Sequence, residues 1–99
     1  MEKDFEIIEL FEIYKGLLTK KQVEIFSAYY YYDLSLSEIA EPDGNSRQSV
    51  YSTVNKVKKK LLEFERLLGV AKKDKELTDL ANQVSEESIS LKIKEIIGR

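Results

Sequence analysis

The only proline in 99 residues sits in the cluster Pro42-Asp43-Gly44-Asn45. No other feature constrains the fold as strongly. Proline cannot continue a helix, and glycine takes the positive φ that a tight reversal needs. Upstream, Ser35 and Glu38 make a capping box, with Leu34 and Ile39 as its hydrophobic staple. Between cap and breaker there is room for about two helical turns. Downstream, Ser46 is a good N-cap for a long helix. Val50, Val54, Val57, Leu61, Phe64 and Leu68 follow it as a heptad-like stripe that ends before Gly69. The chain is therefore expected to place a short helix, a turn and a helix of about 22 residues in succession.

The flanking segments also read as helix. With only four Gly and abundant Leu, Ile, Lys and Glu, the composition favours an all-α fold. The first helix is expected from Lys3 to Lys15, with Gly16 ending it. Glu2, Glu6, Glu9 and Glu12 form an acidic face, while Phe5, Ile7, Ile8, Leu10, Phe11, Ile13 and Tyr14 fill most of the rest. That apolar arc is wider than one-sided packing needs, so burial from two directions is expected, within the domain and against a second subunit. Thr19 with Gln22 makes another capping box, with Leu18 and Val23 as staple. Val23, Phe26, Ala28 and Tyr30 then supply the inward face of a helix that ends in the Tyr29 to Tyr32 run. Towards the C-terminus, Leu77, Leu80, Ala81 and Val84 suggest a short helix. Ser85 is placed to cap a last one carrying Ile89, Ile93, Ile96 and Ile97. The expected organisation is one domain over 1–99, with its core at 3–69 and a helical tail at 70–99.

Charge is distributed unevenly. Residues 1–45 hold four Lys against ten Asp or Glu, net −6, and residues 46–69 hold six Lys or Arg against two Glu, net +4. Nucleic-acid binding needs a local basic surface of this kind, not a basic whole chain. With no His and no Cys, the commonest general base, thiolate ligands and disulfides are excluded. No nucleotide-binding glycine loop or nucleophile triad is available either, so neither an enzyme nor a cofactor is expected. The N-terminus, Met1-Glu2-Lys3-Asp4, is too acidic for a signal peptide, and no apolar run reaches the length of a membrane span. A cytoplasmic location with no membrane partner is expected.

A short helix, a glycine turn and a longer helix opening on Ser-Arg-Gln form the pattern of a helix-turn-helix that reads DNA. Ala40 is small where the two helices cross, Gly44 suits the turn, and Ile39, Val50 and Val54 anchor both helices to one core. With Val50 at the centre of the buried face and about 100° per residue, Gln48, Ser52, Asn55 and Lys59 lie opposite, flanked by Tyr51 and Lys56. Arg47 stands at the end that enters the major groove in this motif. Arg can pair with guanine, and Gln or Asn with adenine. The candidate interface is Ser46, Arg47, Gln48, Tyr51, Ser52, Asn55, Lys56, Lys59 and Lys60. Arg47, Gln48, Tyr51, Ser52 and Asn55 would reach bases, and Lys56, Lys59 and Lys60 would hold phosphates. Each feature also has a plain reading, as a capped helix start or a solvated lysine face.

Three stretches carry a family resemblance. They are Leu18-Thr19-Lys20-Lys21-Gln22, Tyr29 through Glu41, and Ser46-Arg47-Gln48-Ser49-Val50-Tyr51. Together they resemble the YlxM family, small DNA-binding proteins of low-GC Gram-positive bacteria and mollicutes whose helix-turn-helix is similar to region 4 of bacterial sigma factors. The resemblance covers most of residues 5–68. It implies an all-α bundle of the sigma region 4 type, unrelated to winged helices, and DNA binding in transcription regulation. It also implies an association with the signal recognition particle pathway, through that particle's RNA or protein. Ser46, Arg47, Gln48, Val50 and Tyr51 match the family motif. Ser49 replaces an expected Ala, and the Pro42 to Asn45 turn departs from the usual pattern, with Asn45 where an apolar residue normally plugs the core.

Two further features have competing readings. Four consecutive tyrosines suggest a stacking platform for single-stranded RNA. Consecutive helical residues point in different directions, however, so Tyr29 and Tyr30 are expected in the core, with the others partly exposed and hydrogen-bonded. Leu62 lies about 120° round from Val50 and needs a second apolar contact. With the apolar first helix, this points to a homodimer binding two half-sites of double-stranded DNA. The alternatives are an RNA or ribonucleoprotein accessory factor, and a protein-interaction module using the acidic first helix.

Overall fold

The computed structural model describes residues 5–98, and all regular structure within them is helical. The order is α1 (Phe5–Tyr14), a 3-10 turn (Lys15–Leu17), α2 (Lys20–Tyr30), α3 (Leu36–Ala40), a second 3-10 turn (Glu41–Asp43), α4 (Arg47–Leu68), α5 (Val70–Gln83) and α6 (Glu87–Ile97). The chain packs as two compact units, one up to Leu67 and one from Leu68 onward.

In the first unit, both expected capping boxes close. Thr19 Oγ1 accepts the Gln22 N–H at 3.1 Å and Gln22 Oε1 accepts the Thr19 N–H at 3.0 Å. Ser35 and Glu38 repeat the exchange at 3.1 and 2.9 Å. Such caps satisfy N–H groups that a helix start leaves unpaired, each contributing about 1 kcal/mol. The Ser35 N–H bond also holds the Glu38 carboxyl below its ordinary value.

The core of this unit draws on all four helices. Ile7, Leu10, Phe11 and Tyr14 come from α1, Ile25, Phe26 and Tyr30 from α2, Ala40 from α3, and Val50, Val54, Val57 and Leu61 from α4. Phe11 stacks on Phe26 at 4.2 Å between centroids, and Phe26 on Tyr30 at 4.4 Å. The end of α1 is tied to the distal half of α4: Tyr14 packs on Phe64 at 5.8 Å, and its hydroxyl donates to Glu65 Oε1 at 2.6 Å.

Several expectations need correction. The start of helix 1 at Lys3, and Glu2 of its acidic face, lie outside the described residues. Gly16 does not end helix 1. The helix tightens into the 3-10 turn around Gly16, and the Leu18 N–H bonds Lys15 O at 3.1 Å. Leu18 is then extended, which delivers Thr19 to its capping position. On α2 the buried residues are Ile25, Phe26 and Tyr30, whereas Val23 and Ala28 are half-buried. Ala28 is two positions past Phe26, which turns it to the far side of the helix from that ring. Tyr30 is buried and Tyr29 half-buried, while Tyr31 and Tyr32 are exposed. Tyr31 donates its hydroxyl to Glu12 on α1.

The turn is built by its own chemistry. Gly44 adopts φ 67°, its N–H bonds Glu41 O at 3.1 Å, and the Asn45 N–H bonds Ala40 O at 3.0 Å. This pair of bonds is the Schellman arrangement around a left-handed residue. Lys21 at the start of α2 pairs with Asp43 and anchors the turn from outside. Asn45 is exposed, so the polar side chain at the plug position is not forced into the core.

In the second unit, α5 and α6 pack on one another around the fully buried Ala81. Gly69, at φ 62°, closes α4 as expected. However, α5 is longer than the apolar spacing alone suggested, at 14 residues. Ser85 is not the cap of α6. That position is held by Glu86, whose carbonyl accepts the Ser90 N–H at 3.2 Å, because Val84 is still closing α5 and Ser85 lies in the connection.

A Cβ at Gly44 would meet no atom within 4 Å, so a substitution there tests backbone conformation alone. Gly44→Ala is expected to lower stability by about 1 to 2 kcal/mol and Gly44→Asn by less, measured by urea unfolding. Equal stability of all three proteins would contradict the left-handed turn.

Partial burial and donation to Glu12 push the Tyr31 phenol up to about 12 from 10.0, while the same bond, with Lys15, lowers Glu12. The raised phenol contributes stability that is full below about pH 10 and is lost as pH rises towards 12. The Glu12 contribution is instead lost as pH falls through its lowered value. In an ultraviolet titration, subtracting Tyr31→Phe from the wild type should leave a transition near pH 12; one near 10 would contradict the pairing.

Candidate nucleic-acid interface

Helix α4 opens on a formed cap. Ser46 Oγ accepts the Ser49 N–H at 3.0 Å, and Ser46 O accepts the Val50 N–H at 3.2 Å. From there the buried residues Val50, Val54, Val57 and Leu61 follow at intervals of four, three and four, which turns one side of the helix inward. Most of the other side is offered to solvent.

All nine candidate residues fall on the outward or flanking part of α4. Ser46, Arg47, Gln48, Ser52, Lys56 and Lys59 are exposed, and Tyr51 keeps 46% of its surface open. Asn55 and Lys60 are half-covered, and Lys60 lies nearer the buried stripe than the others. Gln48, Tyr51, Ser52, Asn55, Lys56, Lys59 and Lys60 lie side by side along one shallow, open strip of α4 that ends at Glu63. Arg47 and Ser46 are set apart from it, in a neighbouring cleft shared with Gln48, Tyr51 and Leu36 of α3. Gln48 and Tyr51 belong to both and join them.

The electrostatic character of this face lies in what it does not pair. Arg47, Gln48, Tyr51, Ser52, Asn55, Lys56, Lys59 and Lys60 make no side-chain hydrogen bond or ion pair among the described residues. The next turn behaves differently. Arg66 donates to Glu63 through Nε at 2.9 Å and through Nη2 at 2.5 Å. That two-point bond holds the Glu63 carboxyl low and the guanidinium high. The stripe of uncommitted cations therefore stops at Lys60, and the helix surface beyond it is internally neutralised.

Sequence reasoning missed two contributors. Leu36 forms the α3 wall of the Arg47 cleft; in the sequence it is only the residue after a cap. The Lys21–Asp43 pair, which ties the turn before Ser46 to α2, joins residues 22 apart and leaves no local signal. Among the described residues no group of three or more His, Cys, Asp or Glu could hold a metal ion. No helix there is long and apolar enough to cross a membrane.

Comparison with known proteins agrees with this architecture. The family UPF0122, described as "Putative helix-turn-helix protein, YlxM / p13 like", matches residues 1–97. A UPF0122 protein of Ureaplasma parvum serovar 3 is 39% identical, over 95% of each chain. One from Mycoplasma capricolum is 40% identical, over 98% of this chain and 90% of its own. One from Clostridium perfringens is 42% identical, over 74% of this chain and 65% of its own. These are names of a helix-turn-helix family and not of an enzyme. The chain belongs to the UPF0122 family of YlxM / p13 like proteins.

Proposed function

We propose that this protein binds double-stranded DNA through α4 and acts as a regulator of transcription. The observation that carries the reading is the row of Gln48, Ser52, Asn55 and Lys59 opposite the buried stripe, flanked by the equally uncommitted Arg47, Lys56 and Lys60. An exposed basic and carboxamide face on the second helix of a helix-turn-helix suits phosphate contacts at its sides and base contacts along its centre. Arg47 and Gln48 stand at the N-terminal end, which enters the groove. Lys56, Lys59 and Lys60 are about two to three and a half turns further on, where the helix leaves the groove and meets phosphate.

The working form is proposed to be a homodimer. Phe5 on α1 is 82% exposed and Leu62 on α4 is 51% exposed. These are among the large apolar side chains left exposed, and covering them in a second copy would present two reading helices to two half-sites.

A fluorescence anisotropy titration against duplex DNA at two salt concentrations tests both statements. Arg47→Ala should weaken preferred duplexes most. Lys59→Ala should weaken all duplexes alike and reduce the salt slope by about 1. Saturation should occur at two chains per duplex. Unchanged binding in both variants would remove α4 from the interface, and one chain per duplex would contradict the dimer. Tighter binding to signal recognition particle RNA, titrated in parallel, would replace the DNA reading with the RNA one.

A further inference from the structure

We propose that Gln48 and Asn55 make α4 a reader of adenine, selecting two A·T pairs about three base-pair steps apart. The inference rests on the DNA reading above and adds the chemistry of the target. Gln48, Ser52 and Asn55 occupy one row on the helix side facing away from Val50 and Val54. Each carboxamide ends in one acceptor and one donor group, the pair that fits N6–H and N7 of adenine in the major groove. Neither is bonded to another side chain among the described residues, so neither must break an internal bond to reach a base.

Spacing sets the register. Seven residues separate the two carboxamides, which is about two turns and an axial rise of about 10.5 Å. Stacked bases repeat at about 3.4 Å, so this rise spans about three steps. Lys59 lies about 16.5 Å beyond Gln48 along the same axis, past both carboxamides and on the side left to phosphate contacts. Ser52, between the two, bonds any base and specifies none.

The remaining chemistry of the face favours adenine at these two places. From Ser46 to Leu62 there is no carboxylate, the acceptor best matched to cytosine N4. The single guanidinium before Glu63 is Arg47, at the first position of α4, so bidentate guanine recognition by arginine is confined to that end.

The test is selection from a duplex library with a randomised centre, using the full chain and the variants Gln48→Ala, Asn55→Ala and Gln48→Glu. The wild type should enrich adenine at two positions about three steps apart. Each alanine variant should lose about ten- to hundredfold of the adenine preference at one position and keep the other. Gln48→Glu should move one position from adenine to cytosine. Circular dichroism should be the same for all four proteins, since neither side chain belongs to the buried core. Salt-dependent binding without paired adenines, or an unchanged motif in all three variants, overturns the inference and leaves the DNA proposal standing. Failure to bind any duplex overturns both.

Discussion

Burial of Val50, Val54, Val57 and Leu61 fixes the rotation of α4 about its axis, and the surface the protein presents follows from that. A helix of 22 residues could turn any face outward if its apolar stripe were weak. Here the stripe is continuous, and all four residues are almost completely removed from water. Each contributes on the order of 1.5 to 3 kcal/mol relative to exposure, so a rotation that exposed them would cost about as much as the marginal stability of a small domain. The tie from Tyr14 to Phe64 and Glu65 adds a second, directional restraint further along the helix. The stack of Phe11, Phe26 and Tyr30 joins α1 to α2 in the same core. With rotation fixed, the opposite row of Gln48, Ser52, Asn55 and Lys59 is also fixed.

Where α4 begins depends on the reversal at Gly44. The two short-range bonds around that residue close α3 without an apolar plug, and the pairing of Asp43 with Lys21 refers the turn back to α2. An exposed ion pair of this kind contributes little stability by itself. Its effect is positional, because the turn, the cap at Ser46 and the side chains of Arg47 and Gln48 are consecutive. The atypical Pro-Asp-Gly-Asn sequence is thus a different way of making the same reversal.

How much could be read in advance follows the range of each interaction. Both capping boxes, the Ser46 cap, the α4 stripe and the left-handed Gly44 were legible, because each is encoded within a few residues and has one physical solution. The nine candidate residues were legible as a face, since helical periodicity places them once the buried stripe is known. The pairings of Tyr31 with Glu12, Lys21 with Asp43 and Tyr14 with Glu65 were not, since they join residues 19, 22 and 51 apart. No periodicity reports such pairs. Ser85 misled for the opposite reason. A good capping residue one position early looks the same in sequence, and the end of α5 decides which residue takes the role. The division between paired and uncommitted cations on α4 was hidden too, because a run of lysines reads alike whether or not a carboxylate one turn away is available.

The central claim is that the uncommitted side of α4 is the surface that meets DNA. Amide chemical-shift mapping of the full chain during titration with duplex DNA tests it most directly. Shifts should concentrate from Ser46 to Lys60 and at Leu36, with little change along the acidic face of α1 or on α6. Shifts centred on α1 or α6, with α4 unchanged, would contradict it.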